Sequence, residues 1–191
     1  MSTTELPVAM RGNALERTRS DASRGAMVAE GGATEQRYLA FRLAGQVYAI
    51  DIIRIREIIE YQVPTGVPMM PASVLGVINL RGSVVPVIDL AIRFGREPSV
   101  VGKRSCIVIV EVQHAGMNHI IGLLVDGVNA VMEIAAESIE PPPAFGTQID
   151  TEFIEGMARV NGKFIILLDV ARTLSLEEMA VIGSMRRNGE V

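Results

Sequence analysis

The chain has 191 residues, of which 49% are hydrophobic, 21% charged and only 4% aromatic, with no Trp. Such a composition builds a core and excludes wholesale disorder. A formal charge of −4 and few aromatic residues argue against a nucleic-acid partner, which calls for clustered Lys and Arg or rings for bases to stack on.

Mean hydropathy is positive at +0.32, which raises the question of a membrane segment. The longest uncharged run, Tyr61 to Leu80, is broken by Pro64, Pro68 and Pro71. A spanning helix needs ~20 mostly apolar residues without such breaks, so no membrane insertion is expected. Arg11, Arg17, Arg19 and Arg24 near the N-terminus are followed by no apolar stretch, so no secretory signal is read there. Cys106 is the single cysteine, which leaves no intramolecular disulfide and no thiol cage for a metal. A soluble, cytoplasmic protein is expected.

Residues 1–36, with Gly12, Gly25, Gly31 and Gly32 and mixed charges, show no periodicity and read as a disordered tail. From Arg37 onward, short β-branched runs alternate with turn residues. Tyr38–Leu43 and Gln46–Ile52 flank Ala44 and Gly45, and Ile55–Glu60 follows. After a Pro-rich connection, Leu75–Leu80 and Val84–Asp89 flank Arg81, Gly82 and Ser83. Ser105–Val112 and Asn118–Val125 flank Ala115 and Gly116, and Val128–Ile134 leads to Pro141, Pro142 and Pro143. Gly156–Val160 and Lys163–Leu168 flank Asn161 and Gly162, a strong hairpin signal. Leu174, Leu176, Met179 and Ile182 predict a helix over about 169–187. About ten short strands and a terminal helix indicate an all-β fold of small barrels or a sandwich.

An internal repeat sharpens that reading. Gly76–Asp89 aligns without gaps on Gly156–Asp169, matching Gly82 with Gly162 and Asp89 with Asp169. Upstream, Ala49–Glu60 aligns on Gly122–Glu133 and pairs Ile55 with Val128 and Ile58 with Val131. Two copies of one strand–loop–hairpin unit imply two similar barrels packed together.

Signatures of catalysis are scarce. No Gly-rich phosphate loop and no nucleophile elbow are present. His114 and His119 flank a hairpin near Glu111, but no further ligand stands at a fixed spacing, so both read as solvated hairpin residues. Cys106 lies in an apolar strand and reads as a small buried hydrophobe. No cofactor and no metal are expected. The repeat itself marks a candidate site. Glu57 and Arg81 in the first copy are replaced by Ala130 and Asn161 in the second. Both charges are present together and absent together, as expected of a working pair. Exposed pairs contribute only ~0–1 kcal/mol, so stability alone hardly specifies them. Ile53, Ile55, Ile58 and Ile59 beside them exceed the need of one barrel face. They read as packing between barrels, as an exposed partner groove, or as both.

Gly76–Leu90, the preceding Ile55–Ile58, Val67 and Pro68, and the later Gly122–Asp126 resemble the CheW family of bacterial chemotaxis coupling proteins. The resemblance runs over roughly residues 37–175. It implies two intertwined five-stranded SH3-like barrels, the first about 43–101 and the second about 37–42 plus 103–170, with a C-terminal helix. It also implies a non-catalytic adaptor between chemoreceptor cytoplasmic tips and the regulatory domain of a CheA-type histidine kinase, located at membrane-associated receptor arrays. The receptor tip is expected in a groove near Ile55, Glu57, Gly76 and Arg81. With no receiver or kinase domain in the sequence, a stand-alone coupler is expected, its pathway flagellar, type IV pilus or other. A metal-dependent enzyme on the His114–His119 hairpin and a small-molecule-binding barrel are the rival classes.

Overall fold

The computed structural model describes residues 35–114, 116–142, 149–174 and 178. The described residues form β1 (Glu35–Leu43), β2 (Gln46–Asp51), β3 (Ile55–Glu60), β4 (Val74–Leu80), β5 (Ser83–Asp89), β6 (Cys106–His114), β7 (Met117–Val125), β8 (Gly127–Ala135), β9 (Ile139–Glu140), β10 (Ile154–Val160) and β11 (Lys163–Leu168). Two single-turn helices, α1 (Leu90–Arg93) and α2 (Val170–Thr173), follow β5 and β11. The fold is all-β, as expected. β1 starts at Glu35, two residues inside the segment expected to be tail, because Glu35 and Gln36 already pair with Ala135 and Ile134. The rest of that tail, and most of the helix expected over 169–187, lie outside the described residues; α2 occupies the start of the latter.

The strands make two sheets, one in the order β8-β1-β2-β11-β10-β9 and the other β3-β6-β7-β5-β4. These do not follow the expected barrel boundaries. β2, expected in the first barrel, joins β1 and β11, whereas β6 and β7, expected in the second, join β3 and β5. The cause is an exchange between the two copies of the repeat. The β5 strand of copy one pairs in parallel with β7 of copy two (Val87↔Gly122). The β11 strand of copy two pairs in parallel with β2 of copy one (Leu167↔Ala49). Under the repeat alignment these two pairings are the same pairing. Each sheet is therefore completed by a hairpin from the other copy.

The alternation of side chains along a strand then sorts the apolar residues into three cores. Tyr38, Ala40, Ala49, Ile134, Ala158, Ile165 and Leu167 fill the inside of the first sheet. Residues Ile78, Val85, Val87, Ile107, Ile109 and Leu124 fill the second. Their strand neighbours point the other way: Leu39, Phe41, Tyr48, Ile50, Val108, Val110, Leu123 and Ile166 form the large core between the sheets. A strand buried on both faces must be apolar at every position, and this accounts for runs such as Ile107–Val110. Cys106 is half-buried against the central core, and burial raises its thiol pKa, as suits an inert packing thiol.

Asp89 and Asp169 end the equivalent hairpins and start the two short helices. Asp89, 1% exposed, accepts from the Ala91 amide at 2.8 Å and from both the amide and hydroxyl of Ser99. Asp169 accepts from the amides of Ala171 and Arg172. The matching Asp of the repeat is thus a helix cap.

Candidate functional site

The β4–β5 hairpin turns on Arg81 and Gly82, both at positive φ (52° and 88°). The strand twist favours such a two-residue turn, and it requires left-handed backbone at both positions. The Asn79 side chain accepts from the Gly82 amide at 2.8 Å and fixes the turn. Gly82 adopts that conformation freely; Arg81 does so at a cost of ~1 kcal/mol. The equivalent turn in the other copy uses Asn161 (φ 51°) and Gly162, and Asn is among the side chains that tolerate it best. Copy one therefore carries a costlier residue at the tip, with its guanidinium in solvent.

Opposite it, β3 carries a bulge. Ile55 pairs with Val110 and Glu57 with Ile109, so Arg56 is the extra residue. The bulge re-aims neighbouring side chains. Arg56 donates through Nε and Nη2 to Glu111 Oε2 (2.8 and 2.6 Å), while Glu57 Oε2 accepts from Arg81 Nη2 at 2.9 Å. The Arg81 side chain is 80% exposed and that of Glu57 26%. β3 and β4 are the two ends of their sheet, so the ion pair reaches from one edge strand to the hairpin that forms the other. In the second copy the bulge recurs at Asn129, since Ala40 pairs with Ala130 and Phe41 with Val128. There Ala130 and Asn161 leave the corresponding place uncharged.

The other expected site residues lie at different depths. Ile55 is half-buried against the central core; Ile53 and Ile58 are exposed, Ile58 on the face of β3 opposite Glu57, and Ile59 packs into the second sheet's core. Gly76 is buried at φ 140°, and a Cβ there would land on the Thr65 carbonyl. Its smallness admits the loop after β3, whose Thr65 exchanges hydrogen bonds with Val77 (2.8 and 2.9 Å). The structure thus brings Glu57 and Arg81 together, whereas Gly76 is a packing residue against the Thr65 loop. The Arg56–Glu111 pair was missed in the sequence because a bulge carries no signal there.

The reading of both hairpin histidines as solvated is corrected. His119 stands opposite Val112 in the register and is 4% exposed, because that face of the hairpin is packed inward; His114 is half-buried. No group of three or more His, Cys, Asp or Glu among the described residues is placed to hold a metal ion, and no helix among them is long and apolar enough to cross a membrane.

A family model described as the CheW-like domain matches residues 37–178. The chain belongs to the CheW family. The chemotaxis protein CheW of Klebsiella aerogenes is 32% identical over 153 residues, 80% of this chain and 90% of that protein. The probable chemotaxis protein CheW of Rhizobium etli is 33% identical over 144 residues, 75% of this chain and 90% of that protein. Among solved structures, the scaffolding protein CheW of Thermoanaerobacter tengcongensis superposes with a TM-score of 0.68 at 37% identity, covering 78% of this chain and 94% of that one. Membership of the CheW family makes this chain a non-catalytic chemotaxis scaffold, which sets aside both rival classes.

Proposed function

We propose that the protein couples chemoreceptor cytoplasmic tips to a CheA-type histidine kinase, and that the tip docks at the Glu57–Arg81 pair, in a groove near Ile55 and Gly76. The observation that carries the site is the Glu57–Arg81 ion pair, present in one copy of the repeat only and bearing a residue held at a conformational cost. A pair so exposed adds little to stability, whereas an Arg positioned by a carboxylate suits a binding surface. Coupling then works by proximity: one rigid body that holds two partners replaces independent encounters with a high effective concentration. A signal passes where receptor states bias the coupler–kinase arrangement differently. Such a body acts in the cytoplasm, at receptor arrays.

Arg81→Asn and Glu57→Ala test the site. Asn suits the turn, as Asn161 shows in the second copy, so Arg81→Asn keeps the fold and removes only the guanidinium. Each variant is expected to weaken binding of a soluble receptor-tip fragment about tenfold, ~1.4 kcal/mol, in titration calorimetry, with kinase binding unchanged. A double-mutant cycle is expected to show coupling between the two positions. Wild-type affinity for the tip in both variants rejects the site.

A further inference from the structure

The strand register carries the repeat beyond the aligned blocks. Gly122 is the equivalent of Ala49; Gly122 pairs with Ile109 and Ala49 with Ala40. Ile109 therefore matches Ala40 and, two residues on, Glu111 matches Arg42. The bulges give the same answer from the other side, since Glu57 pairs with Ile109 and its equivalent Ala130 with Ala40. The places that hold Arg56, Glu57, Arg81 and Glu111 in copy one thus hold Asn129, Ala130, Asn161 and Arg42 in copy two. Copy one joins its charges there as the pairs Arg56–Glu111 and Glu57–Arg81. Copy two, with Arg42 its one charge at these places, can form neither.

The bulge explains why the second pair accompanies the first. On a regular strand Arg56 and Glu57, as neighbours, would point to opposite faces and could not meet the same partner. At the bulge Arg56 is the extra residue beside Glu57, which stands opposite Ile109, and a bulge re-aims the side chain it inserts. The contacts agree. Glu111 lies on the Ile109 face of β6, and Arg56 reaches it with Nε and Nη2 at 2.8 and 2.6 Å. Arg56 and Glu57 therefore share a side of β3. Arg81 comes to Glu57 from the other edge of the sheet, through Nη2 alone, on a side chain 80% exposed. Such a hold is weak, and a guanidinium on the adjacent residue is a competitor for the same carboxylate.

We propose that Glu111 is a positioning residue for the docking pair: by engaging Arg56 it keeps Glu57 for Arg81. Glu111 stands just past Val110, the partner of Ile55, so it draws the Arg56 guanidinium toward the start of β3 and away from Glu57. Two charge-assisted bonds to one carboxylate oxygen make that the stronger engagement. Without Glu111, Arg56 turns to its own neighbour, the Glu57 carboxylate is divided between two arginines, and Arg81 is released for part of the time. Glu111 touches no partner in this scheme; it decides which cation Glu57 serves. Its effect on tip affinity rests on the receptor-docking reading above, whereas its effect on the Glu57–Arg81 pair does not.

The test uses the full chain with Glu111→Gln, which keeps the size of the side chain but not its charge, and with Arg56→Gln added to that variant. The Nε–H resonance of Arg81, assigned by its loss in Arg81→Asn, reports the pair directly in NMR spectra. It is expected to move in Glu111→Gln toward its position in Glu57→Ala, and to return toward the wild-type position in the double variant, where the competitor is gone. In calorimetry with the receptor-tip fragment, Glu111→Gln is expected to weaken binding about threefold, as suits a partial loss of an exposed pair, and the double variant to recover it. A merely structural role for the Arg56–Glu111 pair predicts a double variant no better than the single one. An unmoved Arg81 resonance in Glu111→Gln, or a double variant displaced as far as the single one, overturns the proposal. The expected resonance shifts with tip affinity unchanged in every variant reject the docking reading and leave the positioning role standing.

Discussion

At the scale of single residues, the molecule places charge sparingly and for identifiable reasons. Asp89 and Asp169 cap, Glu57 holds Arg81, and Glu155 has its pKa clearly displaced. Burial raises it above its ordinary value of 4.5, and the charges of Asp169 and Asp51 push it further up against the opposing pull of Arg54. Burial, with Glu155 and Asp51 adding to it, also pushes Tyr38 up to about 12. A carboxyl whose folded pKa lies above its unfolded one binds its proton more tightly in the native state. Its stabilising contribution is complete below the unfolded pKa and disappears as pH rises through the folded one. Glu155→Gln is therefore expected to be at least as stable as wild type at pH 7. Its melting temperature is expected to fall less than that of wild type as pH climbs from about 4.5, in thermal melts followed by circular dichroism at closely spaced pH. The Glu57–Arg81 pair was legible at this scale from the repeat alone, since a charge present in one copy and missing from the other needs no coordinates. Glu111 was not: nothing in its sequence surroundings distinguishes a carboxylate paired across a bulge from a solvated one.

At the scale of elements, strands and turns followed the sequence closely, because β-branched runs and Gly-containing turns are local signals. What escaped is non-local. A bulge is a mismatch between two strands and is invisible in either one, so the extra residues Arg56 and Asn129 could not be read. The histidine of β7 was misread for the same reason: exposure depends on which face its partner strand turns inward. Glycine roles were also hidden. Gly76 and Gly156 match in the repeat, yet a Cβ on Gly76 meets the Thr65 backbone, whereas on Gly156 its closest neighbour is the Ile139 side chain. Backbone yields less readily than a side-chain methyl, and Gly76 also has φ 140°, which an L side chain rarely adopts. Gly76→Ala is expected to destabilise the fold by ~2–4 kcal/mol and Gly156→Ala by less, on the scale of strain and overpacking. Urea unfolding of the two variants side by side checks the order.

At the scale of the whole molecule, all-β character and the duplication were readable, but the assignment of strands to sheets was not. Sequence proximity suggests that each copy closes on itself. The parallel pairings Val87↔Gly122 and Leu167↔Ala49 show instead that each copy completes the other. Together with the central core that both sheets share, this leaves neither sheet able to form without the other. A single cooperative unfolding transition is expected. Calorimetric and van't Hoff enthalpies are expected to agree, and two resolved transitions in differential scanning calorimetry contradict the shared-core account. The 49% hydrophobic content finds its place here. Strands shared between an inner and a central core are apolar on both faces, and no membrane segment is needed to absorb the excess.

That exchange of hairpins also bears on how such a molecule comes to carry the Glu57–Arg81 pair on one copy and not on the other. Two identical half-length chains swapping hairpins about a true twofold would build the same architecture as a homodimer, but every substitution would then appear twice. Joined end to end, the halves are free to drift apart. One keeps Asn at its turn, while the other trades it for Arg. Covalent linkage of a swapped pair is thus what lets a symmetric body point in one direction, and a connector between unlike partners has to have a direction.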